Sequence, residues 1–213
     1  MNSTLLLVRH GEVKRAAGPS GEQLVYGANQ PLSDMGKYQL QSLGGKLSET
    51  AYITKIYTSP TRRAAQSANL LQDSLSNHPT VIEKEGLRAA NTPQWNEQPI
   101  NDFVAVGGDL FAKNPKLPDV YGETMENAYS RAIKEFTEIQ KTHPEEVVAI
   151  VTHGEIIAMI QHYLRVGKEG QIGQDATIDK GEALMLQFTP EGKISESRVI
   201  SSEAPQFLPN KER

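Results

Sequence analysis

Two histidines stand in the same local setting. Leu5-Leu6-Leu7-Val8 runs into Arg9-His10-Gly11, and Val147-Val148-Ala149-Ile150-Val151 runs into Thr152-His153-Gly154. In each case an apolar run stops at an imidazole followed by a glycine. Near neutral pH an imidazole serves as nucleophile, general base or metal ligand. A guanidinium beside His10 opposes a bound cation, and no carboxylate cluster stands at ligand spacing, so the metal reading is the weaker one. Arginine forks match phosphate oxygens bidentately, and helix starts after Gly11, Pro60 and Gly154 would add backbone N–H donors. Arg9 supplies one fork, and Ser59-Pro60-Thr61-Arg62-Arg63 offers two more after a third strand-like stretch. These types and spacings point to a phosphate-binding pocket. A lone histidine at a strand end is more often structural than catalytic, and the repeated pattern with neighbouring arginines is what weighs against that here.

The elements that must hold these residues alternate. Strand patterns over Leu5–Val8, Thr54–Thr58, Thr80–Ile82 and Val147–Val151 are separated by helical ones. A helix is expected from Ser33, as N-cap, to about Thr50, with Leu40, Leu43 and Leu47 as its stripe. A second follows Ser59, with Pro60 in its first turn and Ala64, Ala68 and Leu71 buried. Thr124 caps the clearest helix, which carries Met125, Ala128, Ala132, Phe136 and Ile139, and another begins after His153. Ala183–Phe188 and Lys193–Ile200 read as a hairpin around Pro190-Glu191-Gly192. Between Glu83 and Tyr121 periodicity is lost, which predicts an irregular insertion with one helix over 100–113 and Trp95 as an anchor. The expected fold is α/β: a single three-layer domain over 1–200 with a mostly parallel central sheet, helices on both faces and that insertion, then a polar tail over 201–213. In such sheets ligands bind at strand carboxyl ends, where both histidines lie.

Composition sets the outer bounds. The chain has 213 residues, 38% apolar and 23% charged, with net charge −4 and no cysteine. Disulfides and thiolate chemistry are excluded, and without a basic run neither nucleic acid nor an anionic membrane is an expected partner. No stretch approaches the length needed to cross a bilayer, and no leader pattern precedes the first strand, so a cytoplasmic location is expected. Oligomeric state is not legible.

Five ordered motifs carry a resemblance. They are Leu7-Val8-Arg9-His10-Gly11-Glu12; Gly27 through Pro31-Leu32-Ser33 to Gly36; Ser59-Pro60 with Arg63-Ala64 and Gln66-Ser67-Ala68; Gly122-Glu123-Thr124 with Arg131; and Thr152-His153-Gly154. Together they resemble the histidine phosphatase superfamily, in its phosphoglycerate mutase-like branch. The resemblance implies a metal-independent phosphomonoesterase that needs no cofactor and acts on a small-molecule phosphate ester. It implies that His10 takes the phosphoryl group, while Arg9, Arg63 and His153 hold the equatorial oxygens. Arg63 fits the family's Arg-Ala pair, which leaves Arg62 toward solvent or the pocket rim.

The departures bear on mechanism. Leu87-Arg88-Ala89 places an alanine where relatives carry the carboxylic general acid, and an alanine cannot protonate a leaving alkoxide. Glu155, two residues past His153, is the first replacement candidate and a candidate substrate contact; Glu97 and Asp102 are others. A favourable charge at a helix N-terminus is the plainer role for Glu155. Val13 and Ala16 differ from the residues that often follow the first motif, which argues against the mutase alternative. A third reading is a phosphate-binding protein with weak or no turnover because of Ala89. His78 and His143, each before a proline, are expected at the surface or as helix caps, and His162 as structural.

Overall fold

The computed structural model describes residues 3–14, 16–25, 27–90, 96–105, 123–167 and 178–203. Its strands are β1 (Ser3–Arg9), β2 (Ile53–Thr58), β3 (Thr80–Glu83), β4 (Val147–Thr152), β5 (Ala183–Phe188) and β6 (Ile194–Ile200). Its α-helices are α1 (Asp34–Thr50), α2 (Arg62–Asp73), α3 (Ile100–Ala105), α4 (Met125–Thr142) and α5 (Gly154–Val166). The strands form one sheet in the order β3-β2-β4-β1-β5-β6. The first four positions are parallel, and β5 and β6 close that side as an antiparallel pair.

The continuous apolar run of β1 reflects burial on both faces. Leu5 and Leu7 join a core with α4 and α5, through Phe136, Ile156 and Ile160 among others. Leu6 and Val8 join a second core with α1 and α2, through Leu40, Leu43, Ala64 and Leu71. The sheet is therefore the middle of three layers, as the alternation of strands and helices implies. Two caps are those expected from the sequence. Ser33 Oγ accepts from Gly36 N–H at 3.0 Å, and Thr124 Oγ1 accepts from Asn127 N–H at 3.0 Å.

Three local expectations change. The helix after Ser59 begins at Arg62 rather than around Pro60, because Thr61 is still extended at its N-cap and turns its hydroxyl elsewhere. A 3₁₀ turn over Glu85–Leu87, which no periodicity announced, opens the irregular region. His143 ends α4 but is buried rather than at the surface: its Nδ1–H donates to Glu146 Oε1 at 2.9 Å and its Nε2 accepts from the Tyr57 hydroxyl at 3.0 Å. His78 is exposed, and His162 is buried beside Tyr129, edge to face. Of the helix expected over 100–113, the described part is α3. Trp95, Gly122 and the chain after Glu203 lie outside the described residues.

Strand order brings the candidate residues together. β4 lies between β1 and β2, in register with both, so that Arg9 pairs with Thr152 and Thr58 with Val151. Three carboxyl ends therefore open side by side: His10 N–H donates to Thr152 O at 3.0 Å and Ser59 N–H to Val151 O at 3.0 Å.

Candidate active site

His10 follows β1 directly and is 5% exposed. Its Nδ1 lies 2.8 Å from the Gly11 carbonyl. A carbonyl only accepts, so Nδ1 carries the hydrogen and Nε2 keeps its lone pair. The bend that allows this depends on two glycines in close approach. A Cβ on Gly11 would stand 2.4 Å from Gly36 O, and one on Gly36 would stand 2.0 Å from Glu12 O. The segment His10-Gly11-Glu12 thus lies flat on the first turn of α1. Ser33 fixes it there, donating from Oγ to Glu12 Oε1 at 3.0 Å, and Gln39 Oε1 accepts from Glu12 N–H at 2.8 Å. Gly11 N–H also donates to Ser67 Oγ, whose hydroxyl donates to Arg63 O one turn back on α2.

His153 is the N-cap residue of α5 and is 1% exposed. Its ring meets that of His10 edge to face, with centroids 5.2 Å apart and planes at 64°. Arg63 Nη2 lies 3.4 Å from Nδ1, and a guanidinium only donates, so Nδ1 is the bare nitrogen. Nε2–H then donates to Ser59 Oγ at 2.9 Å, with Thr61 Oγ1 at 3.3 Å. Arg63 is itself buried and anchored through Nη1 to Gly27 O at 2.9 Å. Arg62 is exposed.

Arg9 reaches the same strand ends by another route. Its Nη1 donates to Ile178 O at 2.8 Å, and its Nε is buried with no hydrogen-bond partner among the described residues. A Cβ on Gly154 would come within 2.9 Å of the Arg9 guanidinium carbon. Glycine at the start of α5 is therefore what lets the side chain pass.

The electrostatics follow from burial among cations. Loss of hydration, then Arg63, lowers the His10 pKa to about 3, with Arg9 and Lys180 adding to the effect. The same two leading causes hold His153 well below the usual histidine value. Both rings are neutral at pH 7, and the fixed positive charge belongs to the arginines. Such a pocket is short of negative charge and suits a phosphate dianion.

The structure brings His10, His153, Arg9 and Arg63 together. It does not bring Glu155 into their hydrogen-bond network: that side chain sits half-buried in the first turn of α5 and makes no hydrogen bond or ion pair among the described residues. Glu97 and Asp102 are exposed. Ala89 lies in a segment stapled to β4 one residue before His153, where Thr152 Oγ1 donates to Leu87 O at 2.7 Å. Arg131 holds the same segment, donating to Gly86 O, Arg88 O and Ala89 O at 2.9, 2.7 and 3.0 Å. Glu123 takes both arginines bidentately, with Arg131 at 2.7 and 2.9 Å and Arg88 at 3.1 and 3.1 Å.

Sequence reasoning missed Ser59 and Thr61 as partners of His153, although both directly follow a strand end, as the histidines do. It grouped Glu123 with Thr124 and Arg131 in one motif but did not read it as the centre of an ion-pair network. Lys180 carried no signal, since no periodic pattern surrounds it. The turn that bears it is set against the first motif, with Gly181 N–H donating to Arg9 O at 3.1 Å.

This arrangement, two facing imidazoles at parallel strand ends with arginines around them, has the charge and the donors to hold a phosphoryl group. The chain belongs to the histidine phosphatase superfamily, branch 1, whose family model matches residues 5–200. It is 26% identical over 176 residues to a metal-independent phosphoserine phosphatase of Arabidopsis thaliana, covering 80% of this chain and 71% of that one. It is 23% identical over 167 residues to phosphoglycerate mutase-like protein 4 of the same plant, covering 76% and 70%. Among solved structures, Bacillus stearothermophilus YhfR matches with a TM-score of 0.72 at 23% identity, over 90% of this chain and 94% of that one. A mycobacterial glucosyl-3-phosphoglycerate phosphatase matches with a TM-score of 0.71 at 17% identity, over 96% and 100%. At these identities the structural likeness speaks for the fold.

Proposed function

We propose that this protein is a phosphatase that hydrolyses a small phosphorylated metabolite through a phosphohistidine on His10. The observation that carries the reading is the hydrogen bond from His10 Nδ1 to the Gly11 carbonyl. It leaves Nε2 as an uncharged nucleophile, kept deprotonated by the burial and cations that lower its pKa to about 3. In the first step Nε2 attacks phosphorus while the bond to the ester oxygen breaks and its electron pair leaves with that oxygen. Arg9 and Arg63 take up the charge on the equatorial oxygens. A bound dianion also reverses the local potential at His153, which then gains a proton and donates to phosphate instead of accepting from Arg63. In the second step water attacks phosphorus and gives a proton to the carboxylate that protonated the ester oxygen, the N–P pair returns to Nε2 and inorganic phosphate departs.

Position 89 offers no proton to the leaving oxygen, and we assign that task to the carboxylic acid of Glu155, the acidic residue next along α5 from His153, which is left as a carboxylate once the oxygen is protonated. The arginines supply the charge that a metal would otherwise bring, so activity should survive exhaustive chelation. The names of two similar proteins, a metal-independent phosphoserine phosphatase and a glucosyl-3-phosphoglycerate phosphatase, support hydrolysis of small phosphate esters. The test is a panel of phosphorylated acids, sugars and nucleosides with full product analysis. Release of inorganic phosphate from at least one, undiminished by chelator, is the expected result. An isomerised ester with little free phosphate would make the protein a mutase, and tight binding without turnover across the panel would make it a phosphate-binding protein.

A further inference from the structure

The β6 strand is a sheet edge. Among the described residues it pairs only with β5, and six of its seven residues are exposed. Two of them are large apolar side chains, Ile194 at 41% exposure and Val199 at 50%. An open edge invites another strand, and proteins commonly block it with lysine, proline or a very short strand. Over Ile194–Ile200 this strand has neither lysine nor proline. The opposite edge, β3, is only four residues long.

The charges on β6 are one acid and one base, Glu196 and Arg198, set symmetrically about Ser197. They already lie on one face of the strand, with Arg198 Nε 3.6 Å from Glu196 Oε1. An antiparallel copy centred on Ser197 places Glu196 opposite Arg198 of the second copy and Arg198 opposite its Glu196. Ile194 then faces Ile200 of the second copy. Centring instead on residue 196 or 198 would set like charge against like, so the pattern selects one register. A β-bulge at Ser195, where the pairing with β5 shifts, leaves Glu196–Ile200 as the regular part of the ladder. Val199 also rims a groove of about 420 Å³ that Gln161 of α5, Ile178 and Leu184 help to line, and a paired strand would close its outer side.

We propose that the β6 edge is the interface of a symmetric dimer of this chain, two β6 strands pairing antiparallel about a two-fold axis through Ser197. The sheets of the two copies then run on as one. A single strand pair covers less than the ~1,200–2,000 Å² typical of stable complexes, so association depends on concentration.

The chain has no cysteine, which gives a clean register test. Ser197→Cys faces itself across the axis and is expected to form a disulfide-linked dimer under mild oxidation. Ser195→Cys lies about 13 Å from its own copy along the strand, beyond disulfide reach, and is expected to stay uncrosslinked. In sedimentation velocity the wild type is expected to pass from monomer to dimer between low micromolar and several hundred micromolar. Arg198→Glu should weaken the dimer at least tenfold, and Glu196→Arg with Arg198→Glu should restore it, with folding of each variant checked by circular dichroism. A wild type that stays monomeric throughout, as it would if another segment of its own chain covered β6, overturns the proposal. So does a dimer indifferent to Arg198→Glu, or equal crosslinking at positions 195 and 197.

Discussion

His10 is a histidine that folding keeps uncharged, and that has a cost which depends on pH. Its pKa is about 3 in the folded chain, against ~6.5 for an unfolded histidine. Between those values the unfolded chain binds a proton that the folded chain does not. The stability is therefore complete above about pH 6.5 and is lost as pH falls toward 3. His10→Gln removes this titration, so its thermal midpoint should fall less than that of the wild type between pH 7 and pH 4. Parallel curves for the two proteins would mean that His10 is not buried neutral. As the proposed nucleophile His10 stays available well below neutral pH, which leaves the proton donor as the residue to find. If Glu155 protonates the leaving oxygen, Glu155→Gln should lower kcat about 10²–10⁴-fold for alkyl phosphates and leave aryl phosphates, whose leaving groups need no proton, almost untouched. Equal losses on both classes would return Glu155 to the role of a charge at a helix N-terminus.

At the scale of elements, one wall of the candidate site is held by an ion-pair network rather than by packing alone. The Glu123 side chain is 9% exposed, and it joins Arg88 and Arg131 while Arg131 holds the backbone carbonyls of Gly86, Arg88 and Ala89. Removing the central carboxylate leaves two guanidinium groups facing one another. Glu123→Ala should cost about 3 kcal/mol, the low end for a broken buried pair because Arg88 remains partly solvated, read as a lower denaturant midpoint. A loss under about 1 kcal/mol would show the network to be incidental. These elements were unevenly legible. Helices α1 and α4 could be read from stripe and cap, because Ser33 and Thr124 do locally what capping residues do. The network could not, since Arg88, Glu123 and Arg131 meet only after α4 packs on the sheet, and nothing in their spacing reports that packing. The start of α2 was misplaced for a related reason: Thr61 is drawn to His153, a partner far away in sequence.

For the molecule as a whole, the sheet was legible because burial on both faces leaves a run of apolar residues, and because β1 and β4 end in the same way. The order that sets β4 between β1 and β2 came only with the structure, and it is what joins the two histidines. Among the described residues no helix is long and apolar enough to cross a membrane. The net charge is −4, yet the groups around His10 are cationic. The two make opposite forecasts for salt. If the site governs capture of an anionic ester, kcat/KM should fall as ionic strength rises from about 0.01 to 0.3 M, because screening weakens a favourable local field. A rise would mean that overall repulsion dominates. The most direct test of the account is to capture the intermediate. A ³²P-labelled substrate is mixed with enzyme, quenched within milliseconds into alkaline denaturant, where phosphohistidine survives, and the labelled peptide is sequenced by mass spectrometry. The account predicts label on His10 in the wild type and none in His10→Ala; label on any other residue, or turnover by His10→Ala at the wild-type rate, would contradict it.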